Sequence, residues 1–200
     1  MALWLIQTGV RQLVITSRTG IKNTYQEMQV RLMKEAGCNV VISNEICDTL
    51  ESTKRLLDQA SALGPLGGIF HLAMVLNDAI FTNQSRRLFM KTAKPKIDAT
   101  FFLDYLTRDL NKYNELDYFI CFSSIASGIG NPGQTNYAYA NSAMERIVEK
   151  RSRDLGENSR CRNISIQWGA IGDVGAFAEK FGNDVNIAGM CPQRISKFYL

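Results

Sequence analysis

Five short apolar runs recur along the chain, at residues 13–16, 39–43, 67–73, 119–122 and 163–168, with helix-compatible stretches between them. Such runs read as strands. Strands that alternate with helices are joined by crossovers, which calls for a parallel sheet covered on both faces. The intervening segments carry the matching stop and start signals. Gly9 closes a helix over 1–8, Gly37 closes one over 21–36, and Asp48 or Thr49 caps one over 49–63. Pro95 divides the helical region of 84–110, and a long helix runs over 134–155. The expected fold is therefore α/β: a doubly wound, Rossmann-like parallel sheet forming a single domain over residues 1–200. A nucleotide-binding sheet of this kind opens with a strand, a glycine-rich turn and a helix whose N-terminus holds phosphate. Here the chain opens on a helix already under way, so the first strand and glycine-rich loop are expected to be lacking. The expected result is a domain incomplete at the N-terminus, with an unpaired gap near the middle of its sheet. A helical start cut short at residues 198–200 points to an incomplete C-terminus too.

Composition narrows the function classes. With 46% hydrophobic and 21% charged residues, the chain suits a packed globular domain and not a disordered one. No apolar run has the length of a membrane span, and no basic leader precedes a long apolar core, so a cytoplasmic protein without membrane contact is expected. The net charge of +4 is met by a solvated surface without nucleic acid, and it leaves scope for a basic patch facing an acidic partner. Cys38, Cys47, Cys121, Cys161 and Cys191 are odd in number and lack the paired spacing of zinc or redox motifs. Buried free thiols and no metal are the expectation.

The chemistry concentrates in residues 119–141. A buried strand ends in Ser123 and Ser124, a glycine- and proline-containing turn follows, and the next helix carries Tyr137 and Asn141 four residues apart on one face. Ligands of open parallel sheets sit beyond the carboxyl ends of the strands, where these hydroxyls stand. Gly128, Gly130 and Gly133 form a literal G-x-G-x-x-G, but the acidic residue such a fingerprint requires would fall inside the following helix, near Asp154. Pro132 also removes an amide. This loop is read as the turn of the site and not as a phosphate cradle. Taken singly, Ser124 is a turn residue and Tyr137 a packing residue. A tyrosine becomes a useful acid or base near neutrality only beside a cation.

Phe122-Ser123-Ser124, residues 133–137 (Gly-Gln-Thr-Asn-Tyr), residues 140–146, residues 94–98 (Lys-Pro-Lys-Ile-Asp), residues 167–175 and residues 191–194 together resemble the β-ketoacyl reductase domain of animal-type fatty acid synthases and related polyketide synthases. That domain belongs to the short-chain dehydrogenase/reductase superfamily. The resemblance spans nearly the whole chain. It implies NADPH-dependent reduction of a 3-oxoacyl group to the 3-hydroxyacyl product, with fatty acid biosynthesis as the setting. Tyr137 would supply the proton and Ser124 would hydrogen-bond the carbonyl oxygen. Lys96 would favour tyrosinate and hold the ribose, and Asn141 would orient a water. These ketoreductases draw their lysine from the preceding helix and place asparagine four after the tyrosine, which accounts for Lys96 and Asn141. Without the resemblance, Lys96 reads as a surface lysine opening a helix after Pro95.

For the cofactor, the resemblance implies Ser17 and Arg18 at the 2′-phosphate, Glu45 and Ile46 around the adenine, and His71 and Ala73 beside the nicotinamide ribose with Tyr137 and Lys96. Alone, Arg18 reads as a solvated turn residue, and His71 reads equally as a satisfied core residue. Leu76-Asn77-Asp78 resembles the Leu-x-Asp marker of reductases giving the D-configured product. The implied partners are an acyl carrier protein with a phosphopantetheine-tethered substrate and the other domains of the synthase. The alternative is a non-catalytic fragment or scaffold that cannot bind the cofactor.

Overall fold

The computed structural model describes residues 1–113 and 116–169. The order is α1 (Ala2–Gln7), β1 (Gln12–Thr16), α2 (Thr24–Glu35), β2 (Asn39–Ser43), α3 (Leu50–Ser61), β3 (Gly68–His71), α4 (Arg86–Ala93), α5 (Ile97–Leu106), α6 (Leu110–Tyr113), β4 (Tyr118–Ser124), α7 (Ala126–Ile129), α8 (Thr135–Leu155) and β5 (Arg162–Trp168). Every strand pairing is parallel, as the alternation predicts. Thr49, and not Asp48, caps α3, its hydroxyl accepting from the Ser52 amide while the Ser52 hydroxyl accepts from the Thr49 amide. The short α6 and α7 and a 3-10 turn at Phe81–Asn83 were not visible in the periodicity, since one turn carries no repeat to detect. The sequence also suggests a glycine-punctuated loop over 169–175 and a tail over 176–200 that covers the site as a lid; from residue 170 onward these lie outside the described residues.

The strands form two sheets. Among the described residues β1 pairs only with β2, in the register Gln12↔Asn39 to Thr16↔Ser43; β3, β4 and β5 pair in that order, with Gly68 beside Tyr118 and Ser124 beside Trp168. Among the described residues one edge of β1 and one edge of β3 have no strand partner, which is the gap the sequence leads one to expect. Each sheet has its own core. Ile6, Met33, Cys38 and Val40 bury the first against α1 and α2, while Leu57, Leu103, Phe119, Cys121, Met144 and Val148 bury the second against α3, α5 and α8. Cys38 and Cys121 are buried free thiols, and Cys47 and Cys161 are half-buried free thiols.

Arg151, 2% exposed, anchors α8 over the second sheet. It donates to Asp104 at 2.8 Å and to Asn163 at 2.8 Å, and its guanidinium lies 4.6 Å from the Phe119 ring centroid. Arg151→Met should cost about 3 kcal/mol of unfolding free energy, the low end for a broken buried pair, because Arg108 still neutralises Asp104. Urea denaturation checks this, with the exposed Arg146→Ala shifting stability by less than about 0.5 kcal/mol.

Candidate active site

Alternation along β4 sends Phe119, Cys121 and Ser123 into the core and leaves Ser124 half-buried at the strand's carboxyl end. The Ser124 hydroxyl accepts from the Ala126 amide at 3.2 Å, starting α7. Gly130 and Gly133, at φ +79° and +78°, then turn the chain into α8, a conformation that other residues adopt only with strain. Gly128 lies within α7 instead, so the three glycines do not make one loop.

On α8, Tyr137 is 8% exposed and Asn141 wholly buried. The Tyr137 hydroxyl donates to Met74 Sδ at 3.4 Å, and Ser124 and Asn141 engage the same phenol. Burial pushes the phenol above its ordinary value, those two side chains pull it partly back, and Asp78 adds to the rise. Tyr137 is thus held protonated, the state a proton donor needs. Asn141 Nδ2 donates to the Tyr137 carbonyl at 2.9 Å, while its buried Oδ1 has no partner. An orphaned buried acceptor of this kind suits a water or ligand donor.

Lys96 is no surface lysine. Pro95 breaks α4 from α5, and Lys96 at the break is 2% exposed, its ammonium donating to the Phe122 carbonyl and lying 6.0 Å from the Tyr137 ring centroid. Burial lowers its pKa to about 8. The resemblance implies that this ammonium favours tyrosinate and holds a ribose, and the structure sets it against the face of the Tyr137 ring.

The cofactor candidates separate into two groups. Ser17 follows β1, its amide donating to Ser43 at 2.9 Å and its hydroxyl to the Gly20 carbonyl at 3.0 Å; Arg18 is exposed in the same turn. At the end of β2, Glu45 is gripped by Arg55 through bonds of 2.9 and 3.1 Å, which hold its carboxyl below the usual range. An open cleft lined by Ile42, Ser43, Asn44, Glu45, Arg55 and Gln59 lies there, with Ile46 half-buried next along the chain. At the end of β3, Ala73 is exposed and His71 is 6% exposed, its Nε2 donating to the Pro95 carbonyl at 2.9 Å. The guanidinium that lines the cleft is that of Arg55, taken up by Glu45 and Glu51, whereas the orphaned Asn141 Oδ1 fits a hydroxyl or water donor.

Sequence reasoning missed Met74, Asn136 and Glu145. Wholly buried Asn136 donates to the Asn77 carbonyl at 2.8 Å and accepts from the Tyr137 amide at 2.8 Å, so the segment after β3 is tied to the first turn of α8. Glu145 continues the four-residue spacing of Tyr137 and Asn141, a signal that was available.

Parallel strands with serine, tyrosine, lysine and asparagine beyond their carboxyl ends define a Rossmann-like domain of the short-chain dehydrogenase/reductase type. The chain belongs to the KR domain family, which matches residues 1–173. It is 33% identical over 178 residues to the hybrid PKS-NRPS synthetase pynA of Aspergillus niger, covering 89% of this chain and 4% of that protein. Among solved structures, a ketoreductase domain from the bacillaene assembly line matches with TM-score 0.81 and 26% identity over 96% of this chain and 46% of that one. A-type ketoreductases from a modular polyketide synthase match with TM-score 0.75 and 31% identity over 88% and 36%. These relatives are polyketide assembly enzymes, and a fatty acid synthase as parent is not shown by them.

Burial lowers the His71 pKa to about 4, with Lys96 adding to the fall and the Pro95 bond opposing it. Above its ordinary value of 6.5 the ring is neutral folded and unfolded; below it the unfolded chain takes up the proton first. Stability should therefore fall by on the order of 3 kcal/mol as the pH drops from about 6.5 to about 4, as read by urea midpoints. His71→Gln should flatten that dependence.

Proposed function

We propose that the chain carries the ketoreductase step of a polyketide-type synthase: NADPH-dependent reduction of a 3-oxoacyl thioester, tethered to an acyl carrier protein, to the 3-hydroxyacyl product. The carrying observation is the buried, protonated Tyr137 flanked by Ser124 and Asn141, with the Lys96 ammonium against its ring. NADPH supplies the hydride when bound. Tyr137 gives its proton to the oxygen that becomes alkoxide, Ser124 hydrogen-bonds that oxygen, and Asn141 Oδ1 holds a water that returns the proton. Lys96, close to its own titration point at about 8, holds ribose hydroxyls beside Tyr137. Ser17 and Arg18 meet the 2′-phosphate, Glu45 and Ile46 border the adenine, and Ala73 borders the nicotinamide ribose, with His71 fixing the backbone next to Lys96. The same step serves fatty acid synthesis; the polyketide enzymes named above favour the former setting. The unpartnered edges of β1 and β3 favour a second reading, a non-catalytic ketoreductase-like unit.

Titration of the purified chain into NADPH should enhance nicotinamide fluorescence at micromolar concentration. Tyr137→Phe should bind NADPH equally but lose at least about 100-fold in reduction of a 3-oxoacyl thioester. No binding at high micromolar concentration would leave the non-catalytic reading standing.

The tethered substrate is supported by charge. Residues 79–95 carry Arg86, Arg87, Lys91 and Lys94 and no Asp or Glu, a surplus equal to the whole chain's +4. Arg86, Arg87, Lys91 and Lys94 are exposed on and just after α4, without ion-pair partners among the described residues, and Ile80 and Phe81 stand exposed beside them. An acidic carrier surface would meet them there. Reversing Arg86, Arg87 and Lys91 to Glu should raise KM for the carrier-bound substrate about tenfold at low salt, leaving a diffusible thioester unaffected in steady-state kinetics.

A further inference from the structure

We infer that Glu145 is a positioning residue for the reducing pair: its buried carboxyl clamps the turn after β4 and so fixes where Ser124 stands relative to Tyr137. The inference rests on the reading of Ser124 and Tyr137 as the groups that meet the substrate oxygen.

Glu145 is 9% exposed and lies on the face of α8 that carries Tyr137 and Asn141. Among the described residues it has no cationic partner; neutral donors converge on it instead. Ser123, the neighbour of Ser124, donates to its Oε1, as does Ser127 from the first turn of α7. Gln167 Nε2, from β5, lies 3.2 Å from each carboxyl oxygen and 3.1 Å from the Ser127 hydroxyl. Ser127 Oγ is also 2.6 Å from the Ser124 carbonyl, so its single proton has two acceptors in reach, the Glu145 carboxyl and the backbone of Ser124, and serves one at a time. Gln167 Oε1 lies 3.3 Å from where a Cβ on Gly128 would stand, which seats the amide against the same turn.

The carboxyl therefore joins the end of β4, the start of α7 and β5 to the helix that bears the proton donor. A buried carboxyl without a counter-ion is costly, whereas a small apolar residue would fill the same face of α8 at no such cost. Its specific gain is geometric, because a shift of about an ångström between two catalytic groups costs about a hundredfold in rate. Ser123, wholly occupied by Glu145, is left with no hydroxyl proton for substrate, which distinguishes its role from that of Ser124.

The test is Glu145→Gln in the full chain, read by steady-state kinetics on a diffusible 3-oxoacyl thioester and by hydrogen exchange of the amides of residues 124–129. The variant should lower kcat about 10- to 100-fold with KM and NADPH affinity within about twofold of wild type, and should speed exchange in 124–129 about tenfold without doing so in β1 and β2. Glu145→Asp, with a shorter reach, should fall between. Ser127→Ala, which removes one donor and leaves the carboxyl held by Ser123 and Gln167, should show the same pattern more weakly and keeps the test open if Glu145→Gln does not fold. Unchanged kcat with unchanged exchange, or exchange raised equally throughout the chain, would overturn the inference. If the wild-type chain reduces no 3-oxoacyl thioester, the functional reading falls, while the exchange measurement still decides the clamp.

Discussion

The site depends on burying one ammonium. Lys96 lies almost wholly inside the protein at the break between α4 and α5, and each element around it serves that placement. Pro95 cannot continue α4, so the chain kinks there, and its carbonyl, released from the helical ladder, is taken up by His71 from the end of β3. The Phe122 carbonyl at the carboxyl end of β4 receives the ammonium. Two neighbouring strands thereby fix the lysine from two directions. Desolvation makes the position costly, and it brings the lysine's titration close to physiological pH, where a buried cation is responsive to what binds beside it.

Helix α8 then aligns the rest. Its inward face carries Tyr137, Asn141 and Glu145 at successive four-residue steps, and these face three different demands: a proton to donate, an acceptor left open, and a clamp on the opposing turn. Farther along, Met144, Val148 and Arg151 bury the same helix in the core of the second sheet. Packing of these distal turns adds to the hold on the first turns, which Asn136 ties to the segment after β3.

Much of this was legible in the sequence because it is written in local patterns. Strand and helix alternation, Gly37, Thr49 and Pro95 placed the elements to within a few residues, and the run from Ser123 to Asn141 placed the site. What was not legible depended on contacts distant along the chain. Nothing about a solitary histidine says that it will hold the carbonyl of a residue 24 positions on, or that a lysine opening a helix will point inward. The resemblance to ketoreductases identified Lys96, but the direction of its ammonium toward Phe122 and the dominance of burial over charge at Tyr137 belong to three-dimensional packing. Ser123 and Ser124 look equivalent as residues; only the pleat of β4 sends one to Glu145 and leaves the other facing the phenol.

The separation into two sheets bears directly on function. Ser17, Arg18, Glu45 and Ile46, proposed for the adenosine end, follow β1 and β2 with their own small core, while Lys96, Ser124, Tyr137 and Asn141 ride on the second sheet and its larger core. Helix α3 bridges them: Arg55 grips Glu45 at the end of β2, and Leu57 on the same helix is buried with Phe119 and Leu103. A ligand that touched both groups would therefore bind across a junction that α3 makes. Among the described residues no strand joins β1 to β3, so the two sheets lack the continuous hydrogen-bond ladder that fixes a single sheet. The affinity for the proposed cofactor would then depend on how α3 joins the two cores as well as on the residues that meet it.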